Sequence, residues 1–339
     1  MLRLLVILAV ACASCAAPPP GRHLVERSRL AMGSQLRLAA WTADEPSAVA
    51  AFAQVFREFD RLEALLSIWK PGSDVVRINE AAGRTAVAVS RDTIVVLEAA
   101  AQASEWTGGK FDITFGALAD IWKFDHDQDD TVPDRRAIEA RLPLVDYRFV
   151  HVDRAAGTAF ISKAGTRIHL GGIGKGYAVD RAAVILRARG LSDFLIQSGG
   201  DLYVAGLNDG APWKLGIADP RGTGGQTFAT LELSNGTLST SGDYERFFIE
   251  NGIRYHHLLD PDRGTPAAGS RSVTIVADSA MLADVLSTGV FVLGPEAGMA
   301  LLERLPQVEG VIVSASNQVL VSSGLTGRVT LIAPPTDAP

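Results

Sequence analysis

The chain has 339 residues, 47% of them hydrophobic, which is enough to bury a large core in one big domain or in two closely packed halves. Its formal net charge is -6, and no basic stripe interrupts the sequence. Because proteins that bind nucleic acids usually carry a basic excess or patch, this composition argues against that class. The only cysteines are Cys12 and Cys15, so the rest of the chain contains no disulfide, thiol nucleophile or cysteine metal site.

The N-terminus is typical of an export signal. Arg3 precedes the apolar run 4–11, which is too short to span a bilayer and is followed by small residues. An ordinary cleaved signal is one interpretation. We favour a bacterial lipoprotein signal lipidated at Cys15, or else at Cys12, which predicts a lipid anchor on the membrane facing the periplasm. The predicted segments are a signal at 1–15, a tether at 16–28 and a folded domain at 29–335.

Two periodicities describe the first part of this domain. Residues 29–41 (RLAMGSQLRLAAW) alternate like strands around a glycine turn. Residues 46–67 carry large apolar side chains at helical spacing, with charges on the opposite face, and predict an amphipathic helix. The following LSIWKPGSDVVRIN is interpreted as a loop. A second helix is predicted from Asp92, as its N-cap, to Trp106, where a glycine pair ends it.

An acidic segment, FDHDQDDTVPD, lies on the predicted surface. The spacing of Asp125, Asp127 and Asp129 is similar to that of a calcium loop. However, the sixth position is Asp130 instead of glycine and the twelfth is Arg136 instead of glutamate. The segment therefore does not predict a calcium site.

The second part of the domain mixes strands and helices. Strand-like pieces at 158–162 and 166–170 precede a helix at about 175–189, which Gly190 ends. FLIQSGGDLYVAG predicts a strand, a turn and a strand, and two more strands are expected to flank LSTSGDYERFF. SVTIVADSAMLADVLSTGVFVLG predicts a strand and then a helix, and Pro295 begins another helix. This pattern favours an α+β fold with antiparallel sheet over a doubly wound parallel sheet.

Residues 169–180, HLGGIGKGYAVD, form a glycine-rich loop ahead of a helix. A phosphate-binding P-loop would need glycine where His169 stands and serine or threonine where Gly176 stands. A dinucleotide-binding fingerprint would need glycine at Tyr177. What remains is a loop whose backbone can approach a ligand, a helix N-terminus that favours an anion, and the positive charge of Lys175. A tight turn without a ligand is the alternative.

A single carboxylate interrupts the apolar segment from 281 to 293. Asp284 is its only charged residue, and Thr288 lies four positions later, on the same face of the predicted helix. Two hard oxygens one turn apart suit Mg²⁺, which leaves coordination positions open for substrate phosphates. The alternative is an Asp284 that is exposed or paired with an arginine.

Three further segments contain candidate polar or aromatic ligands. His256 and His257 precede an aspartate-rich turn, and in a strand only one of the two can face a given site. Asp112 lies between glycines and aromatic residues, and this segment alone does not indicate the role of the side chain. Trp69 lies in a proline-glycine loop and either stacks on a planar ligand or covers the core.

Taken together and in this order, these segments resemble the ApbE family of FAD:protein FMN transferases. The resemblance extends from about Met32 to about Gly294. The matching segments are MGS, LSIW with the later RIN, GGKFDITFGALADIW, LGGIGKGYAVD, SGGDL, STSGDYERF, HHLLDP and ADVLSTGVFVLG. Each is short, and their common order makes the resemblance specific.

The resemblance implies a fold and a set of site residues. The fold is two packed T-fold-like α/β halves with antiparallel sheets that form one catalytic domain. The implied Mg²⁺ ligands are the side chains of Asp284 and Thr288 and the backbone carbonyl of Gly172, and His257 is the implied catalytic histidine near the pyrophosphate. The residues implied to line the FAD pocket are Met32, Trp69, Lys110, Phe111, Asp112, His169, Lys175 and Leu258.

The sequence departs from the family pattern at three of these positions, one of which is Gly172, where the family frequently has an alanine. His169 stands where the family usually has an aspartate, and Trp69 where it commonly has a tyrosine. The implied reaction is Mg²⁺-dependent transfer of FMN from FAD to a threonine hydroxyl of an acceptor protein, with AMP released. The implied acceptors carry a Ser/Thr-rich motif and are subunits of redox-driven ion pumps.

Two other functions use the same residues in different ways. A Mg²⁺-dependent FAD pyrophosphatase would use water as the nucleophile and release FMN and AMP. A lipoprotein that binds and stores FAD would need no chemistry. The presence of Asp284, Thr288 and His257 favours an enzyme over storage, because binding alone does not require them.

Overall fold

The computed structural model describes residues 21–338, so the predicted signal with its two cysteines lies outside the described residues. Within this range, no helix is both long enough and apolar enough to cross a membrane. The helices are Glu45–Leu66 (α1), Asp74–Glu80 (α2), Arg91–Trp106 (α3), Arg135–Arg141 (α4), Gly174–Ala188 (α5), Ala280–Leu293 (α6) and Pro295–Leu302 (α7). The strands are His23–Ala31 (β1), Ser34–Thr42 (β2), Val87–Ala88 (β3), Val150–Asp153 (β4), Thr158–Ile161 (β5), Phe194–Ser198 (β6), Asp201–Ala205 (β7), Trp213–Ala218 (β8), Thr227–Leu233 (β9), Asn235–Gly242 (β10), Phe247–Glu250 (β11), Ile253–His256 (β12), Leu259–Asp260 (β13), Thr265–Pro266 (β14), Ser270–Ala277 (β15), Glu309–Ser314 (β16), Val319–Val321 (β17) and Val329–Leu331 (β18).

An antiparallel sheet of eight strands organises the described chain, in the order β1-β2-β6-β7-β10-β15-β16-β17. It has two four-stranded halves, which join where β7 pairs with β10. In the first half, β1 and β2 precede α1 and α5, and β6 and β7 follow. In the second half, β10 and β15 precede α6 and α7, and β16 and β17 follow. The α+β fold with two packed halves, predicted from the sequence, is confirmed.

The core fills both faces of this sheet. On one face, α1 buries Phe52, Val55, Phe59 and Leu62, which are spaced three or four residues apart and therefore share one side of the helix. Each such side chain contributes about 1.5–3 kcal/mol on full burial. On the other face, the small sheet β18-β9-β8 covers a second apolar cluster that includes Phe228. The fold is thus layered, with the helices that carry the site on one side.

The predicted tether was too long at its C-terminal end. β1 begins at His23, so residues 23–28 belong to the sheet and pair with β2, from His23 opposite Thr42 onward. Only Val25 and Ala31 of this strand are buried, because it is an edge strand with one covered face. Residues 23–28 are therefore mostly exposed and polar, and their composition is similar to that of a tether.

Other element predictions also require correction. The segment interpreted as a loop after residue 66 contains α2, which begins where the Ser73 hydroxyl accepts a hydrogen bond from the Val76 N–H. The N-cap of α3 is Ser90, not Asp92. Residues 166–170 are not a strand, although Arg167 forms an isolated bridge to Phe115. The segment LSTSG lies within β10 and is not a loop between strands.

The closest approach of α5 to α6 lies at Gly176. A Cβ atom at Gly176 would lie 2.4 Å from the carbonyl oxygen of Ala280 and 2.7 Å from the Cβ of Asp284, so only glycine fits there. Asp180, one turn further along α5, accepts hydrogen bonds from the backbone N–H groups of Ala280 (2.7 Å) and Met281 (3.0 Å). These contacts fix the beginning of α6 against α5.

We predict that Gly176→Ala destabilises the fold while Gly174→Ala does not. The first substitution overpacks the interface between α5 and α6 and should lower the free energy of unfolding by about 1–3 kcal/mol. At Gly174, in the same helix, an added Cβ would have no neighbour closer than 3.8 Å. That variant should be unchanged or more stable by up to about 1 kcal/mol. Urea unfolding of both variants measures the difference, and equal stabilities would contradict the packing assignment.

Candidate active site

Two adjoining cavities lie beside the N-terminal end of α5. The first has a volume of about 320 Å³ and the second about 480 Å³. Phe124, Asp125, His169, Lys175 and Arg246 line both, so the two cavities are neighbouring parts of one cleft. The predicted site residues that line the first cavity are Lys110, Phe111, Asp112, His169, Gly172, Lys175, His257, Leu258, Asp284 and Thr288. The other two, Met32 and Trp69, line the second.

The three predicted metal ligands meet at the glycine loop. Asp284 is 4% exposed, and its Oδ2 accepts a hydrogen bond of 2.9 Å from the Gly176 N–H. Burial and the neighbouring Asp201 carboxylate raise the pKa of Asp284. A Cβ at Gly172 would lie 3.3 Å from Thr288 Oγ1, so the loop backbone lies against the Thr288 hydroxyl. The site thus combines a buried carboxylate, a hydroxyl and a close backbone segment.

A chain of hydroxyl groups extends from this site into the sheet. Ser241 Oγ lies 3.3 Å from Thr288 Oγ1 and 2.8 Å from Ser287 Oγ. Ser287 Oγ donates a 2.9 Å hydrogen bond to the backbone carbonyl of Asp284. These contacts fix the Thr288 side chain, because they connect α6 to the end of β10.

Lys175 is held by a buried carboxylate. Its Nζ donates a 2.8 Å hydrogen bond to Asp201 Oδ2 and lies 3.9 Å from Asp284 Oδ1. Asp201 is 1% exposed, and its other oxygen accepts a 2.6 Å hydrogen bond from the Ser239 hydroxyl. Burial alone would lower the pKa of Lys175, but the two carboxylates outweigh it and raise that pKa. The ammonium therefore stays charged at the floor of the cleft.

The two histidines face different surroundings, but not as neighbours in one strand, because β12 ends at His256 and His257 follows it in a bend. The His256 ring is buried, packs edge-on against Phe291 and lies 2.9 Å from the carbonyl oxygen of Ala267. His257 instead lines the first cavity, and its Nδ1 lies 3.3 Å from the carbonyl oxygen of Arg246. Burial, together with the Arg246 guanidinium, lowers the pKa of His257 to about 3, so its imidazole is neutral at pH 7.

The segment 110–112 also lines the first cavity. Lys110 Nζ donates hydrogen bonds to Asp260 (2.7 Å), at the end of β13, and to Asp262 (2.8 Å), in the turn that follows. Asp112 accepts three hydrogen bonds, from the backbone and hydroxyl of Thr114 and from the backbone N–H of Tyr147. Burial raises the pKa of Asp112 to about 6, although the Thr114 hydrogen bonds oppose this. Asp112 therefore fixes the cavity wall through its own contacts with the protein.

The second cavity is lined by Met32, Trp69 and His126. Met32 has a φ of 49°, in the left-handed region, within the β1–β2 turn. Trp69 is 47% exposed and meets the His126 ring edge-on at 4.2 Å between ring centroids. An exposed indole beside a cavity is available to stack on a planar ligand.

His169 lies between the two cavities. Its Nδ1 accepts a 3.0 Å hydrogen bond from the Gly171 N–H, and its ring packs against Phe115. Burial lowers the pKa of His169, although Asp125 opposes this effect. A neutral imidazole thus occupies the position at which the resemblance would place a carboxylate.

Sequence reasoning did not assign roles to Asp201, Ser241 or Arg246. All three line the first cavity and lie in segments that carried the resemblance, SGGDL and STSGDYERF. Their signal was limited, because a single Asp, Ser or Arg in a strand or turn gives no spacing pattern. Only the fold reveals that they lie beside Lys175, Thr288 and His257.

Among residues 21–338, no group of three or more His, Cys, Asp or Glu side chains could hold a metal ion. A metal site here must therefore combine Asp284 with hydroxyl, backbone or substrate oxygens. In the acidic segment, Asp125 pairs with Arg246 and Asp129 with Lys123. The two carboxylates thus form ion pairs with different residues.

Comparison with known proteins gives the family. A family model described as the ApbE family matches residues 32–312. The chain belongs to the ApbE family. It is similar to the FAD:protein FMN transferase of Treponema pallidum (strain Nichols), with 33% identity over 322 residues that cover 90% of this chain and 89% of that protein. A Klebsiella pneumoniae (strain 342) protein of the same name is 32% identical over 297 residues, covering 87% of this chain and 91% of its own.

Solved structures of ApbE proteins share the fold. The crystal structure of the ApbE protein from Thermotoga maritima has a TM-score of 0.83 and 32% identity, covering 90% of this chain and 99% of that one. The flavin transferase ApbE from Vibrio cholerae has a TM-score of 0.81 and 26% identity, covering 91% of this chain and 99% of its own. The match extends over nearly all of both proteins, so the two halves belong to the family fold.

We predict that His257 contributes to acid sensitivity of this ApbE-family fold. Its folded-state pKa of about 3 lies below the ordinary histidine value of about 6.5. Below pH 6.5 the unfolded chain therefore binds the proton more readily, and stability is lost as the pH falls toward 3. His257→Gln should show a smaller drop in Tm between pH 7.5 and pH 5 than the wild type, measured by thermal unfolding in EDTA.

The matched control for this prediction is His151→Gln, because His151 is exposed on β4. This variant should lose as much Tm on acidification as the wild type. If His257→Gln also does so, the imidazole of His257 does not contribute to the acid sensitivity.

Proposed function

We propose that the protein transfers FMN from FAD to a threonine hydroxyl of an acceptor protein and releases AMP. The observation that carries this proposal is the buried Asp284 carboxylate beside the glycine loop, in a cavity that also holds Lys175 and His257. The relatives named FAD:protein FMN transferase support the same reaction. Each of these side chains has a separate task in the proposed transfer.

Asp284, Thr288 and the Gly172 carbonyl would hold Mg²⁺. The donor set fits, because Mg²⁺ prefers hard oxygen ligands and keeps positions open for water and phosphate. Asp284 Oδ1 lies 3.9 Å from Lys175 Nζ, beyond hydrogen-bond distance, and burial together with the Asp201 carboxylate raises the pKa of this carboxyl. When bound, the ion supplies charge that offsets the negative charge of the pyrophosphate as its P–O bond breaks.

Lys175 and the glycine loop would hold the phosphates of FAD. The ammonium is fixed by Asp201 and stays charged, so it can attract an anion without first being ordered. The loop precedes α5, whose N-terminal N–H groups favour negative charge. Phe111, Leu258 and Trp69 offer apolar or aromatic surface for the rings of the substrate.

His257 is proposed as the general base. With Nδ1–H donating to the Arg246 carbonyl, Nε2 keeps a free electron pair. Nε2 accepts the proton of the acceptor hydroxyl while the threonine oxygen bonds to the phosphorus of the FMN half. The bond from that phosphorus to the AMP oxygen breaks, and its electron pair leaves with AMP. An anionic substrate in the cavity raises the basicity of the imidazole, because it stabilises the imidazolium.

We further propose that the acceptors carry a Ser/Thr-rich flavinylation motif and belong to redox-driven ion pumps, as the resemblance implies. The proposed location is the bacterial cell envelope, with a lipid at the N-terminus facing the periplasm. This location depends on residues 1–20, which lie outside the described residues.

The test of the proposed function is a mass measurement. The protein is incubated with FAD, Mg²⁺ and a threonine-bearing acceptor domain, and acceptor mass and AMP are recorded. We expect the acceptor to gain the mass of FMN, with one AMP released for each transfer. AMP and free FMN without a labelled acceptor would contradict transfer and favour a pyrophosphatase. FAD binding without AMP would favour a storage protein.

In the same assay we predict that Asp284→Ala lowers the transfer rate by at least about a hundredfold, because the buried metal ligand is lost. The folded state should persist, as judged by circular dichroism. Asp278→Ala is the control, since this exposed carboxylate lies just before α6 and does not line the cleft. Full activity of Asp284→Ala would refute the metal assignment.

A further inference from the structure

Arg246 is another permanent cation that lines the cleft, and its charge is partly offset by a neighbouring carboxylate. It lies just before β11 and lines both cavities. Its guanidinium forms an ion pair with Asp125, which also lines both cavities. The pair therefore lies where the first cavity meets the second.

The guanidinium lies close enough to the site to influence its titratable groups. Its positive charge acts against the charged forms of His257, His169 and Lys175, although burial is the larger cause of the lowered pKa at both histidines and two carboxylates outweigh this effect at Lys175. A Cβ at Gly33, in the β1–β2 turn, would lie 3.9 Å from Arg246 Nη2. The guanidinium of Arg246 thus lies near the β1–β2 turn, while its backbone carbonyl contacts His257.

Lys175 and Arg246 have different partners. Lys175 pairs with Asp201, whose side chain is 2% exposed and fixed by Ser239. Arg246 pairs with Asp125, whose side chain is 27% exposed and belongs to the acidic surface segment. Partly exposed ion pairs contribute less than about fivefold to an equilibrium constant. A bidentate contact between guanidinium and phosphate is charge-assisted and stronger.

We propose that Arg246 binds a phosphate of the substrate, and that Asp125 occupies its guanidinium until the substrate displaces it. This inference rests on the proposed function, since it takes FAD as the substrate. Asp125 then acts as a competing anion that weakens FAD binding. Its displacement also removes a side chain from the wall that the two cavities share, so that a dinucleotide can extend through both.

The first test compares Asp125→Asn with the matched control Asp127→Asn. Both remove one negative charge from the same exposed segment, but only Asp125 pairs with Arg246. Dissociation constants are measured by titration with FAD, with ADP and with inorganic pyrophosphate. We expect Asp125→Asn to bind all three about two- to fivefold more tightly than the wild type. Asp127→Asn should change binding by less than about twofold, because its charge is screened by solvent.

A double-mutant cycle supplies the second test. Arg246→Gln should weaken binding of all three anions by at least about tenfold, because a charge-assisted contact to phosphate is lost. In the Arg246→Gln background, Asp125→Asn should have no further effect, since the competition no longer exists. Arg246→Lys should recover part of the affinity, and thermal unfolding checks that all variants are folded.

Several outcomes would overturn the inference. Weaker FAD binding by Asp125→Asn together with a lower Tm would overturn it, because the substitution then only loosens the segment. Equal affinities of Asp125→Asn and Asp127→Asn would also overturn it. These failures differ from failure of the proposed function, in which the wild type binds FAD but labels no acceptor. Absence of binding of FAD, ADP and pyrophosphate to the wild type would overturn both.

Discussion

The approach of α5 to α6 at Gly176 is the constraint on which the site depends. Because no side chain separates the helices there, the Gly176 N–H reaches the Asp284 carboxylate at 2.9 Å. The same approach brings the preceding glycine loop against Thr288. The proposed metal and phosphate parts of the site thus come from residues more than one hundred positions apart, and the fold joins them through one helix contact.

The charges in this arrangement favour the binding of a further cation. Two buried carboxylates, Asp201 and Asp284, face a single ammonium from Lys175. Burying a carboxylate without full compensation is unfavourable, so the group retains an attraction for further positive charge. A divalent cation with a bound pyrophosphate would satisfy that attraction and would also account for the hydroxyls around Thr288. The protein then holds its reactive groups in place before the substrate arrives.

Much of the fold was readable from the sequence, because periodicity reports which side of an element is buried. The helices α1 and α5 were predicted to within one residue of their ends, α6 was predicted without bounds, and the family resemblance implied the two halves. The start of β1 was missed because an edge strand with polar residues has the composition of a tether. The short helix α2 was missed because its cap, Ser73, lies in a proline-glycine segment that favours a loop.

For the candidate site too, some contacts could be predicted from the sequence and others could not. Asp284 and Thr288 could be paired from the sequence, since four residues of helix place them on one face. The contacts of Asp201 with Lys175 and of Asp125 with Arg246 could not, because each joins residues from separate elements. Lys110 lines the cleft as expected. Its pairing with Asp260 could not be predicted, because nothing in the sequence indicates that these two segments are close together.

The most direct measurement is a crystal structure of the protein with FAD and MnCl₂, with anomalous diffraction data recorded at the manganese edge. We expect an anomalous peak at a coordination distance of about 2–2.5 Å from an Asp284 carboxylate oxygen, beside Thr288 and Gly172. The peak should disappear in Asp284→Ala. A peak elsewhere in the cleft, or no peak beside Asp284 in crystals of protein that transfers FMN, would contradict the proposed metal site.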